Sequence, residues 1–148
     1  MRRLTFRSLS KGQQRTLQTE SATVAEELVA EIYGTKHRPD QAEWYDCVRE
    51  TTGAKTEVKS CFATVGVEYP AAGRFRLRRD QLRSLLASDA SGVAWVAFVL
   101  FDADAGEILI RRAKPATVME WVRERGGWNE AGHTEFEKQQ KVPISEVF

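Results

Sequence analysis

The stretch "TGAKTEVKSC", residues 52–61, decides the fold of this chain because a turn leads directly into a polar strand. Its Thr-Gly step suits a tight turn, and the β-branched residues that follow favour a strand. Side chains two positions apart in a strand point to one face, so Glu57 and Lys59 lie together while Val58 points to the other face. The pair is either an exposed ion pair or one half of a metal site.

A second strand is predicted immediately before this turn, in "WYDCVRE", residues 44–50. If the Thr-Gly step supplies the two central residues of the turn, Asp46 lies opposite Lys59 and Val48 lies opposite Glu57. Directly opposed residues share a face of the sheet. The hairpin therefore predicts a patch in which two carboxylates lie beside one ammonium group.

Two carboxylates at this separation favour Mg²⁺, which binds through one or two carboxylates and keeps water molecules that a phosphate substrate can replace. Such an ion polarises a phosphodiester and lowers the pKa of a bound water, while Lys59 holds that water or stabilises developing charge. Hydrolysis of a phosphodiester bond is the resulting hypothesis. The alternative is a solvated strand face, on which Asp, Glu and Lys are common.

Apolar periodicity and turn residues place the remaining elements. A first helix is predicted from a capping box at Thr23 to Gly34, with a loop over residues 34–43 before the hairpin. A buried central strand is predicted at 93–101, where every position of "VAWVAFVLF" is apolar. The other predictions are, in order, one or two strands within 55–69, a strand at 74–78, a helix capped by Asp80, a strand at 107–112 and a short helix from a capping box at Thr117 to 125–127.

The composition fits one globular domain, since the chain has 148 residues of which 42% are hydrophobic. Its net charge of +1 is unevenly distributed, because the chain before the first acidic residue, Glu20, is basic. The cations of this segment are Arg2, Arg3, Arg7, Lys11 and Arg15. We divide the chain into a basic arm at 1–20, a core at 21–125 and a C-terminal extension of the same domain at 126–148.

The cysteine content indicates the compartment. Cys47 and Cys61 are too few for a disulfide scaffold and lack metal-ligand spacing, so we expect a reducing intracellular compartment. The expected location is the cytoplasm of a prokaryotic, archaeal or viral system. No run is long and apolar enough to span a bilayer, although the Arg- and Ser-bearing start also fits a transit peptide weakly. His37 and His133 follow no catalytic spacing and are interpreted as loop histidines.

The motif and its surroundings resemble a known family. Asp46 followed by "TEVKS", residues 56–60, resembles the PD-(D/E)XK nuclease superfamily, and the resemblance extends over about residues 21–125. It implies an α/β fold with a restriction-endonuclease-like α-β-β-β-α-β core, in which helices flank a mixed central sheet and the motif lies on the second and third strands. The segment at 73–86 is similar to its counterpart in archaeal Holliday junction resolvases and restriction-like relatives.

This resemblance also implies roles for individual residues. Asp46 and Glu57 would bind one or two Mg²⁺ ions, with Mn²⁺ as a substitute and the Val58 carbonyl as a further ligand. Lys59 would orient the attacking water, and Gln81 on the following helix would support the site. In many members a glutamate of the first helix completes the metal site. We choose Glu27, because the expected capping box uses the neighbouring Glu26.

Basic residues indicate how DNA would be held. Arg74 and Arg76 alternate with apolar residues, so one face of their strand is cationic. Together with Arg79, Arg3 and Arg7 they are expected to contact phosphates, which gives affinity that depends on salt and carries little sequence information. The alternative is an edge strand that arginines protect from pairing with other chains.

The expected function is therefore a metal-dependent DNA endonuclease that is structure-specific, as in Holliday junction resolvases acting in recombination and repair. Its partners would be branched or duplex DNA and a second copy of the chain, as the junction-resolving relatives imply. Alternatives are a restriction or repair endonuclease, a noncatalytic nucleic-acid-binding module on the same fold, and a structural protein with a solvated hairpin. The basic arm is expected to be disordered until it meets DNA.

Overall fold

The fold is built from eleven strands and five helices within the part of the chain that the computed structural model describes, residues 1–130 and 138–148. The strands are β1 Arg2–Thr5, β2 Lys36–Ala42, β3 Tyr45–Val48, β4 Lys55–Phe62, β5 Thr64–Val65, β6 Ala71–Ala72, β7 Arg74–Arg78, β8 Ala94–Asp102, β9 Glu107–Ala113, β10 Asn129–Glu130 and β11 Lys138–Pro143. The helices are α1 Lys11–Thr16, α2 Ser21–Tyr33, α3 Arg79–Ser91, α4 Pro115–Glu124 and α5 Ile144–Val147, and a short 3-10 turn spans Phe6–Ser8.

A six-stranded mixed sheet forms the centre, in the order β1-β9-β8-β4-β3-β2. Strands β4 and β8 are parallel, whereas the other neighbours in this sheet are antiparallel. The run α2, β2, β3, β4, α3, β8 follows the predicted α-β-β-β-α-β order, with β5, β6 and β7 inserted before α3. The predicted fold class is confirmed.

Both faces of the sheet are covered by apolar side chains. Helix α2 and the segment around Leu9 and Leu17 cover one face, while α3, α4 and the sheet β10-β11-β7 cover the other. Strand β8 contributes to both cores, with Val96, Phe98 and Leu100 in one and Ala97, Val99 and Phe101 in the other. This two-sided burial confirms the prediction made from its continuous apolar sequence.

The register of the β3–β4 hairpin differs from the prediction. The ladder pairs Cys47 with Thr56 and Val48 with Lys55. The backbone N–H of Arg49 donates to the carbonyl of Ala54 at 2.9 Å, so four residues rather than two separate the hydrogen-bonded ends. Continuing this register places Asp46 opposite Glu57 instead of Lys59. Because the shift amounts to two residues, all three side chains remain on the predicted face.

Helix α2 begins before the predicted capping box. It starts at Ser21, and the N–H of Val24 already donates to the carbonyl of Glu20 at 3.1 Å, so Thr23 lies inside the helix. The predicted end is confirmed, because Gly34 adopts a left-handed conformation with φ of 65°. Glu26 is consequently not a capping residue and its carboxyl is available for other contacts.

The two later helices also begin before the expected caps. Helix α3 starts at Arg79, so Asp80 lies in its first turn rather than capping it. Helix α4 starts at Pro115 instead of following Thr117. Proline is suited to the first position of a helix because its φ is already helical and no N–H is needed there.

A strand occupies most of the predicted loop at 34–43. Strand β2 pairs with β3 at the edge of the sheet, and it contains Pro39, which an edge strand tolerates. His37 lies on this strand opposite Cys47, so its interpretation as a loop histidine is wrong. His133 lies outside the described residues.

The terminal segments are parts of the folded unit. Strand β1 pairs with β9 along four residues, and Leu9 and Leu17 are buried, which contradicts the expectation of a disordered arm. Strand β11 pairs with β7, and Val142 and Val147 are buried in the core. Within the described ranges, no helix has the length and apolar character needed to cross a membrane.

Candidate active site

Three carboxylates from three different elements meet beside strand β4. Asp46 of β3 is in hydrogen-bonding contact with Glu26 of α2 and with Glu57 of β4. Glu57 is only 5% exposed, and Glu26 and Asp46 are half-buried. The structure therefore brings the predicted residues Asp46 and Glu57 together, and the helix carboxylate beside them is Glu26 and not the predicted Glu27.

The helix glutamate at this cluster is Glu26 rather than Glu27. Glu27 is exposed, and its Oε2 accepts a hydrogen bond from Nε2 of Gln13 at 2.9 Å. Oε1 of Glu26 lies 3.3 Å from Nε2 of His37, a second contact that the sequence did not suggest. The choice of Glu27 rested on assigning Glu26 to a capping box, and the observed start of α2 at Ser21 leaves Glu26 outside such a box.

The crowding of carboxylates perturbs their protonation. Burial, opposed in part by the Lys59 ammonium and reinforced by the charge of Asp46, raises the pKa of Glu57 from 4.5 to about 8. Burial and the contact with Asp46 raise the pKa of Glu26 to about 8 in the same way. A carboxyl whose pKa is raised by burial and like charge becomes ionised readily when a cation compensates it.

One carboxylate oxygen lacks a hydrogen-bond partner within residues 1–130 and 138–148. This atom is the buried Oε2 of Glu57, whereas Oε1 lies 3.3 Å from Nζ of Lys59. Leaving a buried acceptor unsatisfied is costly, and a cation ligand would remove that cost. The donor set of three carboxylates is also the hard-oxygen set that Mg²⁺ and Mn²⁺ use. The residues therefore fit a divalent cation.

The carboxyls contact one another in the structure. Within residues 1–130 and 138–148, no group of three or more His, Cys, Asp or Glu side chains already encloses a metal position. Asp46 instead makes hydrogen-bonding contacts with Glu26 and Glu57.

The backbone pairing of β3 with β4 stops next to Asp46. The β3–β4 ladder ends at the pair Cys47 and Thr56, and beyond it Oδ2 of Asp46 accepts a hydrogen bond from the N–H of Val58 at 2.8 Å. In a strand, the N–H and C=O of one residue point to the same neighbouring strand. The Val58 carbonyl consequently lies on the same edge of β4 as the Asp46 carboxylate.

Lys59 is held in place by the following helix. Its Nζ donates to Oε1 of Gln81 at 2.6 Å, and Nε2 of Gln81 donates to the carbonyl of Glu43 at 2.8 Å. The two hydrogen bonds use both ends of the Gln81 amide and therefore fix its orientation. The side chain is also buried. Glu57, Lys59 and Gln81 also line a narrow cavity of about 10 Å³, close to the lower limit for one water molecule.

The arginines of β7 lie on an exposed cationic face. Arg74 and Arg76 are exposed, while Phe75 and Leu77 between them are buried. Lys141 of β11 lies directly opposite Arg76 and adds a cation to the same face. Like charges in opposed positions destabilise a sheet, and a phosphate backbone would relieve that repulsion.

The remaining predicted arginines are less close to the carboxylates. Arg79 is half-buried at the start of α3. Arg3 forms an ion pair with Glu107 at 2.6 Å, and Arg7 is exposed beyond the end of β1. Since β9 and β8 separate β1 from β4, these two arginines belong to an edge about 14 Å from the motif strand.

The sequence matches a known nuclease family over most of its length. The family model described as PD-(D/E)XK nuclease superfamily domain matches residues 12–148, and the chain belongs to this superfamily. Membership supports a nuclease function in general and a nucleic acid as substrate, and nucleases of this superfamily typically use divalent metal ions. A search of curated proteins found no match to the chain.

Proposed function

We propose that the chain is a Mg²⁺-dependent endonuclease that hydrolyses phosphodiester bonds of DNA. The observation that carries this proposal is the cluster of Glu26, Asp46 and Glu57. In it, a buried carboxylate oxygen lacks a hydrogen-bond partner among the described residues and two pKa values are raised to about 8. A solvated strand face would not bury these groups. The combination is typical of a site whose carboxylates are designed to be compensated by a cation.

The metal ligands would be the carboxylates of Asp46, Glu57 and Glu26 together with the carbonyl of Val58. Glu26 replaces Glu27 in this assignment because it is the one in contact with Asp46. A bound Mg²⁺, or Mn²⁺ in its place, would supply Lewis acidity toward the phosphate and lower the pKa of a water ligand. The number of ions depends on how far the three carboxyls separate.

Lys59 and Gln81 would act on the attacking water. The Lys59 ammonium lies beside the small cavity and is oriented by the Gln81 amide, so it can donate a hydrogen bond to a water held there. The same ammonium would stabilise negative charge that develops on the phosphate. Lys59 is therefore assigned as a catalytic residue and Gln81 as a positioning residue.

The DNA backbone would lie along the cationic face of β7 and β11. Arg74 and Arg76, with Lys141 opposite, provide phosphate contacts, and Arg79 begins the helix that carries Gln81. Arg3 and Arg7 would reach only a more distant part of the substrate. Residues 21–125 hold the proposed catalytic groups, with 1–20 and 126–148 completing the same domain.

The substrate would be branched DNA, cleaved by a homodimer in which each copy cuts one strand. This finer proposal rests on the similarity of segment 73–86 to junction-resolving nucleases and on the need to cut two strands. A Holliday junction resolvase-like role in recombination or repair follows from it. A cytoplasmic location is consistent with the two free cysteines, Cys47 and Cys61.

The test is cleavage of labelled four-way junction, flap, single-stranded and linear duplex DNA with Mg²⁺ or Mn²⁺. We expect Glu57→Gln to lower cleavage by at least about 10³-fold, because the amide cannot supply the charge that the ion needs, while DNA binding persists. Cleavage rates and electrophoretic mobility shifts measure the two quantities separately.

A matched pair of variants on α2 serves as the control. Glu26→Gln should also reduce cleavage strongly, whereas Glu27→Gln, which changes an exposed neighbour, should not. If no DNA is cut by the unaltered protein, yet binding is equal in the unaltered and Glu57→Gln proteins, the chain is a noncatalytic binding module. Preference for the four-way junction over the flap would support the resolvase-like assignment, and the reverse preference would contradict it.

A further inference from the structure

A cleft between helices α3 and α4 lies outside the carboxylate site. It encloses about 300 Å³, which is at the small end of ligand-binding pockets. Its lining residues are Arg79, Leu82, Arg83 and Leu86 of α3, Met119 and Arg123 of α4, and Trp128 after α4. The four residues of α3 follow helical spacing, so they form one face directed toward α4.

The cleft combines an apolar floor with a cationic rim. Leu82 is buried, Leu86 and Met119 are half-buried, and one side is formed by the half-buried ring of Trp128. Arg83 and Arg123 are exposed at the rim. Among the described residues, the seven that line the cleft include no acidic side chain.

Such a lining complements a nucleobase better than it complements other ligands. A base presents a planar apolar face that stacks on an aromatic ring, and its backbone carries phosphates on either side. Arginine contacts both features, because its guanidinium stacks on rings and binds phosphate through paired N–H groups. An acidic peptide would satisfy the arginines but would leave the flat apolar floor without a matching surface.

The cleft and the proposed catalytic site share a lining residue. Leu82 lines the cleft and also the narrow cavity that contains Glu57 and Lys59. Gln81, which hydrogen-bonds Lys59, is the neighbour of Leu82 on α3. A nucleotide in the cleft would consequently contact the helix that positions Lys59.

We propose that the cleft binds one unpaired nucleobase of a DNA strand, stacked on Trp128, with the adjoining phosphates on Arg83 and Arg123. A base within an intact duplex is stacked between neighbours and cannot enter, so the cleft selects single-stranded segments and branch points. Its link to cleavage rests on the nuclease function proposed above. The binding itself requires no metal and no reaction.

The test measures fluorescence anisotropy of a short labelled single strand and of the matching duplex, in EDTA so that no cleavage occurs. Trp128→Ala should weaken single-strand binding by roughly 10-fold, since stacking on one aromatic ring contributes about that much per base. Duplex binding should be unchanged, and Trp128→Phe, which keeps a ring, should retain most of the affinity. Circular dichroism and the melting temperature establish that each variant is folded.

A second set of variants tests the rim independently of the tryptophan. Replacing Arg83 and Arg123 together by alanine should reduce the slope of log affinity against log salt for single strands by about 1 to 1.5, equivalent to two lost phosphate contacts. Arg125→Ala removes an equally exposed charge outside the cleft and should leave the slope unchanged.

Three results would overturn the proposal. The first is equal weakening of single-strand and duplex binding by Trp128→Ala, and the second is an equal effect of Arg125→Ala and the paired substitution. The third is a change in the sedimentation of the free protein in Trp128→Ala, which would assign the cleft to an interface between copies. These experiments measure binding and not cleavage. They would therefore test the cleft even if the protein proved to have no nuclease activity.

Discussion

Two carboxylate–lysine pairs in this molecule have opposite electrostatic character. Glu57 and Lys59 lie on β4, with side chains 7% and 16% exposed, and the pKa of Glu57 is raised to about 8. Asp89 at the end of α3 and Lys114 before α4 are 22% and 38% exposed. Burial acts to raise the pKa of Asp89, but hydrogen bonds from Lys114 and from the N–H of Ala94 outweigh it and lower that pKa.

The difference lies in what surrounds each carboxylate. Asp89 receives two donors and has no acidic neighbour among the groups that shift its pKa. Glu57 faces Asp46, and its Oε2 receives no hydrogen bond from the part of the chain that the structure describes. A fully compensated pair stabilises the fold, whereas an under-compensated pair is costly and persists where a ligand supplies the missing charge. The contrast is one of electrostatic compensation, because the Asp89 carboxylate is satisfied by its neighbours and the Glu57 carboxylate is not.

Substituting the two lysines should separate the two pairs most clearly. Lys59→Met should lower kcat by about 10²- to 10³-fold with little change in KM, because it removes the ammonium that orients water and stabilises charge on the phosphate. Lys114→Met should leave kcat unchanged. Single-turnover cleavage of a DNA substrate measures both, and equal rates for the two variants would remove the distinction between the pairs.

The second largest effect should be on how the free energy of unfolding depends on pH, in the range where the carboxyls of Glu26 and Glu57 titrate and Asp89 does not. A carboxyl with a pKa of about 8 when folded, against the ordinary 4.5, holds its proton more tightly in the folded state. The free energy of unfolding without metal should therefore fall as pH rises from 4.5 to 8 and become level above that. The decline should be on the order of 1 kcal/mol per pH unit, with Glu26 and Glu57 both contributing.

Urea unfolding in EDTA between about pH 5 and pH 8 measures this decline. Glu57→Gln should reduce it by roughly half, because one titrating carboxyl is removed. Asp89→Asn should not change it, since the lowered pKa of Asp89 places its titration below this range. Added Mg²⁺ or Mn²⁺ should raise the melting temperature most at high pH, where the carboxylates are ionised. If the free energy of unfolding of the unaltered protein did not change between these pH values, the carboxyls of Glu26 and Glu57 would not have raised pKa values in the folded state.

The grouping of Asp46, Glu57 and Lys59 could be predicted from sequence because it depends only on the alternation of side chains along a strand. Asp46, Glu57 and Lys59 share a face because side chains alternate along a strand, and a register error of two residues preserves that alternation. The central strand was predictable for a related reason, since β8 is buried on both faces and its sequence is continuously apolar. Both features follow from local sequence patterns that the packing of the folded protein preserves.

Three features could not be predicted because packing in the folded protein, and not the local sequence pattern, determines them. Glu26 was assigned to a capping box because the box has the right spacing, but the helix begins earlier and its carboxyl turns toward Asp46. Strand β2 was missed because an edge strand with a proline and polar residues has no apolar alternation. Trp128 followed the predicted helix with no periodic pattern, so only the packing of α3 against α4 places it in a cleft.

The smallest effect should come from Asp89→Asn, which tests the structural member of the comparison. Partly exposed ion pairs contribute little, so the free energy of unfolding near neutral pH should fall by only about 0.5 kcal/mol. Because the pKa of Asp89 is lowered in the folded state, its contribution is present above the unfolded value of 3.8 and is lost as pH falls through the folded value. The variant and the unaltered protein should therefore become equally stable in acid, and high salt should also reduce the difference. A loss beyond about 2 kcal/mol would instead identify Asp89 as a buried determinant of the fold, since exposed pairs do not reach that size.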